Sequence, residues 1–108
     1  MKTINGGVCA AQGFTASGVH CGIRKNKTKR DLALIYSSVP ANAAAVYTTN
    51  LVKGAPLLVT KKHIADGKAQ AVICNSGNAN TCNANGVEIA EQMSELLAKE
   101  LKIKAEDV

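Results

Sequence analysis

The chain has 108 residues, a formal net charge of +5, 46% hydrophobic residues and 19% charged residues. These values indicate a globular protein of single-domain size, and they exclude a disordered chain or a long repeat array. No apolar run approaches the roughly 20 residues that span a bilayer, and residues 1–7 lack the apolar stretch of a signal peptide, so we expect a cytoplasmic protein with no membrane partner.

The first half of the chain has the patterns of β-strands. Residues 14–23 alternate partly and carry β-branched side chains, which predicts a strand weakened by two glycines. A basic segment, residues 24–30, follows as a turn, and the apolar run 32–37 predicts a second strand. Two strands around a charged turn favour an antiparallel hairpin. Residues 43–49 predict a third strand, because they include Val46, Tyr47, Thr48 and Thr49.

The second half mixes helix and strand. Pro56 fits the first turn of a helix and Gly67 would end it, although Val59 and Thr60 leave a strand over residues 57–60 as the alternative. Residues 69–74 predict a buried strand. Residues 86–101 predict an amphipathic helix, with Asn85 as its cap. The apolar face of that helix comprises Ile89, Met93, Leu96, Leu97 and Leu101. The order predicts a mixed α/β protein with an antiparallel-rich sheet, packed helices and no internal domain boundary.

An asparagine-rich loop lies between the last predicted strand and the last helix. It holds Asn75, Asn78, Asn80, Asn83 and Asn85 within eleven residues. In open α/β sheets ligands bind where a strand leads into a helix, and side-chain amides supply both donors and acceptors. The alternative is a set of local turns in which the amides satisfy their own backbone. We expect Asn75 and Asn78 to line or brace the edge of an active site.

Two other residue groups suggest chemistry only weakly. The basic segment places Arg24, Lys25, Lys27, Lys29 and Arg30 within seven residues. It could be a solvated loop, or it could make the chain a small module that binds phosphate or nucleic acid. The four cysteines lack the short spacing of a structural zinc site. We expect no metal, and we also expect no cofactor. A catalytic cysteine with His20 or His63 as its base has no local signature.

Several stretches of the chain resemble the ornithine acetyltransferase family, the glutamate N-acetyltransferases of arginine biosynthesis. The most specific is Asn75-Ser76-Gly77-Asn78-Ala79-Asn80, and the others are residues 13–25, 31–35, 43–50 and 55–59. The resemblance covers nearly the whole chain in order. It implies part of the ornithine acetyltransferase fold and an acyltransferase that moves an acetyl group from N-acetylornithine, and in some members from acetyl-CoA, to glutamate.

The resemblance also implies where the chemistry lies. Members of the family cut themselves at an Ala-Thr bond, the freed Thr carries the acetyl group, and α and β subunits assemble as α2β2. This sequence contains neither an Ala-Thr nor a Thr-Gly pair, which supply the nucleophile and the oxyanion stabilisation. We therefore expect the N-terminal part of an α subunit, inactive alone, with no catalytic residue of its own. The expected partners are the rest of the α subunit, the β subunit and the two small substrates, without nucleic acid.

Overall fold

The computed structural model describes all 108 residues. Its regular elements are three antiparallel strands, two helices and short 3-10 turns. The strands β1 (Phe14–Val19), β2 (Leu32–Asn42) and β3 (Lys68–Asn75) form one sheet in the order β1-β2-β3. The helices are α1 (Ala55–His63) and α2 (Gly86–Leu101), and short 3-10 turns occur at Gly7–Ala10, Ile64–Asp66 and Ala105–Asp107. The predicted mixed α/β class with an antiparallel sheet is confirmed.

Strands β1 and β2 form the predicted hairpin, but β1 is shorter than predicted. The register pairs Phe14 with Ser37 and Val19 with Leu32. Beyond Val19 the chain leaves the sheet, because the backbone N–H groups of Cys21 and Arg24 donate to the carboxylate of Asp31 instead of to a neighbouring strand. The basic segment, residues 24–30, therefore lies in the connection between β1 and β2, as predicted.

The predicted strand over residues 43–49 is wrong. Strand β2 instead continues to Asn42 through an irregularity that contains Pro40, whose missing N–H is tolerated at such a position. Residues 43–54 form no regular element, and the side chain of Val46 is 98% exposed. A β-rich sequence forms a strand only when another strand satisfies its backbone, and none lies beside this segment.

Helix α1 begins where the local signals predicted, but it ends at His63, and a 3-10 turn lies between that end and Gly67. Pro56 occupies its first turn, and Gly67 follows the subsequent 3-10 turn with a φ of 74°. A positive φ favours glycine because it has no Cβ to clash with the backbone. The strand alternative for residues 57–60 is excluded. Lys62 of α1 forms a 2.9 Å ion pair with Glu91 of α2, so the two helices pack against each other.

Helix α2 has the predicted bounds and, apart from Leu96, the predicted inward face, since Ile89, Met93, Leu97 and Leu101 are half-buried. The buried residues are the small ones, Gly86, Ala90, Ser94 and Ala98, while the predicted core residue Leu96 is 68% exposed. Small side chains at this spacing allow close approach to α1. Asn85 makes no side-chain cap hydrogen bond, so that part of the prediction is also wrong.

The core is thin and lies where β3 meets the two helices. Ten of 108 residues are buried, and the apolar ones are Val59, Ala71, Ala90 and Ala98. Large apolar side chains such as Leu51 and Val52 are exposed instead. Neither helix combines the length and apolar character needed to cross a bilayer.

Candidate functional site

The asparagine-rich loop, residues 75–85, joins the end of β3 to the start of α2. Asn75 is the last residue of β3 and is half-buried. Its Nδ2 donates a 2.8 Å hydrogen bond to the carbonyl oxygen of Asn78. This hydrogen bond fixes the end of the strand to the loop. The Oδ1 atom of Asn75 makes no hydrogen bond within the chain. The structure brings together the two residues that the sequence singled out.

Asn78 has a side-chain oxygen that is engaged and a side-chain nitrogen that is free. Its Oδ1 accepts a 3.1 Å hydrogen bond from the backbone N–H of Asn80 and a 3.5 Å contact from Nδ2 of Asn83. Its Nδ2 donates to no group of the chain, and the residue is exposed. Because the oxygen is held, the amide nitrogen has a defined direction. Asn78 can therefore donate to an oxygen atom of a bound molecule.

Asn80 is the buried centre of the loop, a role that the sequence did not reveal. It is 6% exposed and has a left-handed φ of 49°. Its carbonyl accepts from the N–H of Ala55 at the start of α1 (3.1 Å), and its Nδ2 donates to the carbonyl of Gly86 at the start of α2 (2.7 Å). Asn80 thus ties the first turns of both helices to the loop.

Gly86 is the sequence signal that could have revealed this contact. A Cβ atom at this position would lie 2.7 Å from Oδ1 of Asn80 and 2.8 Å from Cβ of Ala55. Only glycine therefore allows the loop and the two helices to approach this closely. A glycine directly after a polar loop is compatible with such a close approach, because it carries no Cβ.

A largely apolar cavity of about 330 Å³ adjoins the loop. It lies between β3 and the two helices, and Val59, Ala71 and Met93 contribute to its wall. Three asparagines of the loop also line it, namely Asn75, Asn78 and Asn80. A few polar groups beside an apolar space of this size are typical of small-molecule sites. The geometry therefore supplies directed amides next to a largely apolar space.

Asp31 is a second buried polar residue that the sequence did not single out. It is 2% exposed, and its carboxylate accepts hydrogen bonds from the backbone N–H groups of Cys21 (2.7 Å) and Arg24 (2.9 Å). These donors, Arg24 first, hold the pKa of Asp31 well below its usual range, although burial opposes the shift. Nδ1 of His20 lies 3.0 Å from Oδ2 of the same carboxylate.

No cysteine forms a hydrogen bond with a histidine in the structure. Cys21 is exposed, but desolvation of its thiol by neighbouring atoms raises the pKa of that thiol, as do its hydrogen bond to Asp31 and the negative charge of Asp31. A raised pKa disfavours the reactive thiolate. His20 faces Asp31, and Nδ1 of His63 lies 2.9 Å from the carbonyl oxygen of Val108. No group of three metal-ligating side chains occurs in the chain.

The basic segment is partly used within the protein. The guanidinium of Arg24 donates from Nε to the carbonyl oxygen of Ser76 (3.4 Å) and from Nη2 to the hydroxyl of Ser76. Arg24 is half-buried, whereas Lys25, Lys27, Lys29 and Arg30 are exposed. The first charge of the segment is thus engaged with the asparagine-rich loop, which leaves fewer charges for a nucleic-acid partner.

Comparison with known proteins identifies relatives over nearly the whole chain. The ArgJ family matches residues 15–108. The arginine biosynthesis bifunctional protein ArgJ of Caldanaerobacter subterraneus is 47% identical over 109 residues, which cover 100% of this chain and 27% of that protein. The protein of the same name from Staphylococcus aureus strain COL is 46% identical over 107 residues, which cover 96% of this chain and 25% of that protein. The chain thus spans about a quarter of the length of these curated relatives.

Solved structures agree with the sequence relatives. The crystal structure of the arginine biosynthesis bifunctional protein of Bacillus halodurans superimposes with a TM-score of 0.90 at 44% identity, over 95% of this chain and 54% of that chain. Ornithine acetyltransferase from Mycobacterium tuberculosis, complexed with ornithine, gives a TM-score of 0.85 at 38% identity, over 94% of this chain and 55% of that chain. The three-stranded sheet and its helices therefore form part of a larger known fold.

Proposed function

Because the chain belongs to the ArgJ family, we propose that it is the N-terminal part of an acyltransferase that moves an acetyl group from N-acetylornithine to glutamate in arginine biosynthesis. The observation that carries this proposal is the match over the whole chain at 47% identity, together with the TM-score of 0.90 to a solved relative. Acetyl-CoA is a second candidate acetyl donor for the complete protein. No cofactor is proposed.

In the proposed mechanism the acetyl group passes through a covalent intermediate. A threonine outside this chain, freed as an N-terminal residue by cleavage of an Ala-Thr bond, attacks the acetyl carbonyl of N-acetylornithine. Its own α-amine accepts the hydroxyl proton and passes it to the departing nitrogen, so the amide C–N bond breaks and ornithine leaves. The amine of glutamate then attacks the acetyl-threonine ester, the ester C–O bond breaks, and the threonine hydroxyl regains a proton. Because this sequence contains neither Ala-Thr nor Thr-Gly, we expect the 108 residues alone to be inactive.

The proposed partners are the rest of the α subunit and a β subunit, in an α2β2 assembly. The chain covers 54% of the Bacillus halodurans crystal chain but 27% of the Caldanaerobacter subterraneus protein, a difference that favours a family whose polypeptide is divided into two chains. The exposed apolar side chains, Leu51 at 99% among them, favour residues 1–108 as one portion of a larger α/β domain without an internal boundary. We propose that this protein acts in the cytoplasm.

Within this assembly we propose that Asn75 and Asn78 line the edge of the active site. The support is geometric: both residues line the 330 Å³ cavity, and Asn78 directs a free Nδ2 group outward from a fixed oxygen. A carboxamide donor in such a place can orient the carbonyl or carboxylate oxygen of a substrate. Their replacement by alanine should lower kcat/KM, and unchanged values would leave them with a turn-forming role only.

A graft tests the proposed function. Residues 1–108 replace the matching 109-residue segment of the Caldanaerobacter subterraneus relative, and acetyl transfer from N-acetylornithine to glutamate is measured. We expect the graft to be active and the isolated 108-residue chain to be inactive. The unaltered relative is the control. Deacetylation of N-acetylornithine by the isolated chain would contradict the proposal, as would a graft that folds and assembles normally but transfers no acetyl group.

A further inference from the structure

Arg24 and Asp31, which precede the asparagine-rich loop in the chain, form a closed set of contacts with Ser76, the second residue of that loop. The carboxylate of Asp31 accepts from the N–H of Arg24 (2.9 Å), and the carbonyl oxygen of Asp31 accepts from the N–H of Ser76 (2.8 Å). The guanidinium of Arg24 completes the set with hydrogen bonds to the carbonyl oxygen and the hydroxyl of Ser76. The β1–β2 connection is thereby attached to the first residue after β3. We refer to Arg24, Asp31 and Ser76 as the bracket.

The bracket also fixes the backbone position of Gly77, the residue that follows Ser76. A Cβ atom on Gly77 would lie 2.9 Å from Cγ2 of Ile23 and 3.2 Å from Cγ of Arg24. The backbone of Gly77 therefore lies directly against residues 23 and 24, with a φ of 127° that glycine adopts readily. Ser76 and Gly77 are the two residues that separate Asn75 from Asn78. The position of Arg24 thus sets the path of the chain between the two amides.

We propose that Arg24 is a positioning residue that holds Asn75 and Asn78 in their working geometry through Ser76, an inference that rests on the proposed active-site edge. Asp31 orients the backbone of Arg24, and the planar guanidinium then reaches two acceptors of one residue at once. Lysine cannot reproduce this contact, because its ammonium is a single point charge on a flexible stem. Misplacement of a substrate-orienting group by about 1 Å can lower a rate on the order of 100-fold.

The activity test uses the graft with the substitutions Arg24→Gln, Arg24→Lys and Ser76→Ala, and with Lys25→Gln as the matched control. Lys25 is adjacent, exposed and outside the bracket. We expect Arg24→Gln to lower kcat/KM at least about tenfold through kcat, Arg24→Lys to recover only part of that loss, and Lys25→Gln to have no effect. The double variant with Ser76→Ala should lose no more than Arg24→Gln alone, because Arg24→Gln already removes the guanidinium that the Ser76 hydroxyl contacts.

A second measurement is independent of activity. Hydrogen–deuterium exchange of residues 75–80 is followed in the 108-residue chain itself. Arg24→Gln should raise the exchange rate of these amides several-fold, whereas Lys25→Gln should leave it unchanged. An unchanged exchange rate in Arg24→Gln would overturn the proposal, even if the graft proved inactive.

The outcomes distinguish the proposed active-site edge at Asn75 and Asn78 from the proposed positioning role of Arg24. If Asn75→Ala and Asn78→Ala lower kcat/KM while Arg24→Gln does not, the active-site edge stands and the role of Arg24 is refuted. If both asparagine variants are fully active, the edge itself is refuted, and positioning by Arg24 fails with it. Fully additive losses for Arg24→Gln and Ser76→Ala would also refute positioning through Ser76.

Discussion

Replacement of Asn80 should destabilise the chain more than replacement of any other asparagine in its loop. Asn80→Ala removes two side-chain hydrogen bonds, the 2.7 Å bond to the carbonyl of Gly86 and the 3.0 Å bond from Nδ2 of Asn83. At about 0.5–1.5 kcal/mol each, their loss lowers the free energy of unfolding by about 1–3 kcal/mol. Alanine at a φ of 49° adds a backbone cost, which is roughly 1 kcal/mol for a residue with a Cβ.

Two further substitutions separate these contributions. Asn80→Gly also removes the side chain, but glycine adopts a positive φ freely, so it should be about 1 kcal/mol less destabilising than Asn80→Ala. Asn85→Ala is the matched control, because Asn85 makes no side-chain cap hydrogen bond and has a φ of −107°. We expect that control to lie within about 0.5 kcal/mol of the unsubstituted chain.

Urea unfolding of the 108-residue chain, followed by the helical circular dichroism signal, measures all three variants. The urea concentration at the midpoint should be highest for Asn85→Ala, lower for Asn80→Gly and lowest for Asn80→Ala. If Asn80→Ala and Asn85→Ala unfold at the same urea concentration, Asn80 does not tie the helices to the loop. If Asn80→Gly is as destabilising as Asn80→Ala, the left-handed backbone contributes nothing and the reasoning about φ is wrong.

Three other predictions concern acid stability, the exposed apolar surface and the basic segment. Because the folded-state pKa of Asp31 is lowered, its stabilising effect is complete above the ordinary aspartate pKa of about 3.9 and is lost as the pH falls below it. The difference in unfolding free energy between the unsubstituted chain and Asp31→Asn should therefore be constant above about pH 5 and shrink as the pH falls from about 5 to about 2; a difference that stays constant over that acid range would contradict this. The isolated chain should bind a fluorescent apolar dye more strongly than the graft of residues 1–108 into the Caldanaerobacter subterraneus relative, because Val46 and Leu51 are almost fully exposed; equal dye binding would mean that the rest of the protein leaves this surface open. Single-stranded nucleic acid should show no steeply salt-dependent binding to the chain, because Arg24 is engaged with Ser76 and no aromatic residue is interleaved in the segment; tight binding at low salt that weakens steeply with added salt would favour the binding module instead.

Local sequence determined much of the architecture. Pro56 marks the start of α1, because it lacks an N–H that a first turn does not need, and Gly67 ends the 3-10 turn after α1, because it accepts a positive φ. The apolar run after the basic segment predicts β2, and the periodicity of residues 86–101 predicts α2. The asparagine-rich motif carries the family resemblance and directs attention to Asn75 and Asn78. Each of these signals depends on residues only a few positions apart.

Tertiary structure decided the features that depend on distant partners. Residues 43–49 have strand-forming side chains but no neighbouring strand, so they form no regular element. The buried positions of Asp31 and Asn80 follow from the N–H and C=O groups that they satisfy elsewhere in the chain, as do the contacts between Arg24 and Ser76 across 52 positions. Hydrogen-bond partners separated in sequence leave no periodic pattern. Local propensity therefore specifies which segments can form helices or strands, while long-range backbone satisfaction decides which of them do and which polar side chains become buried.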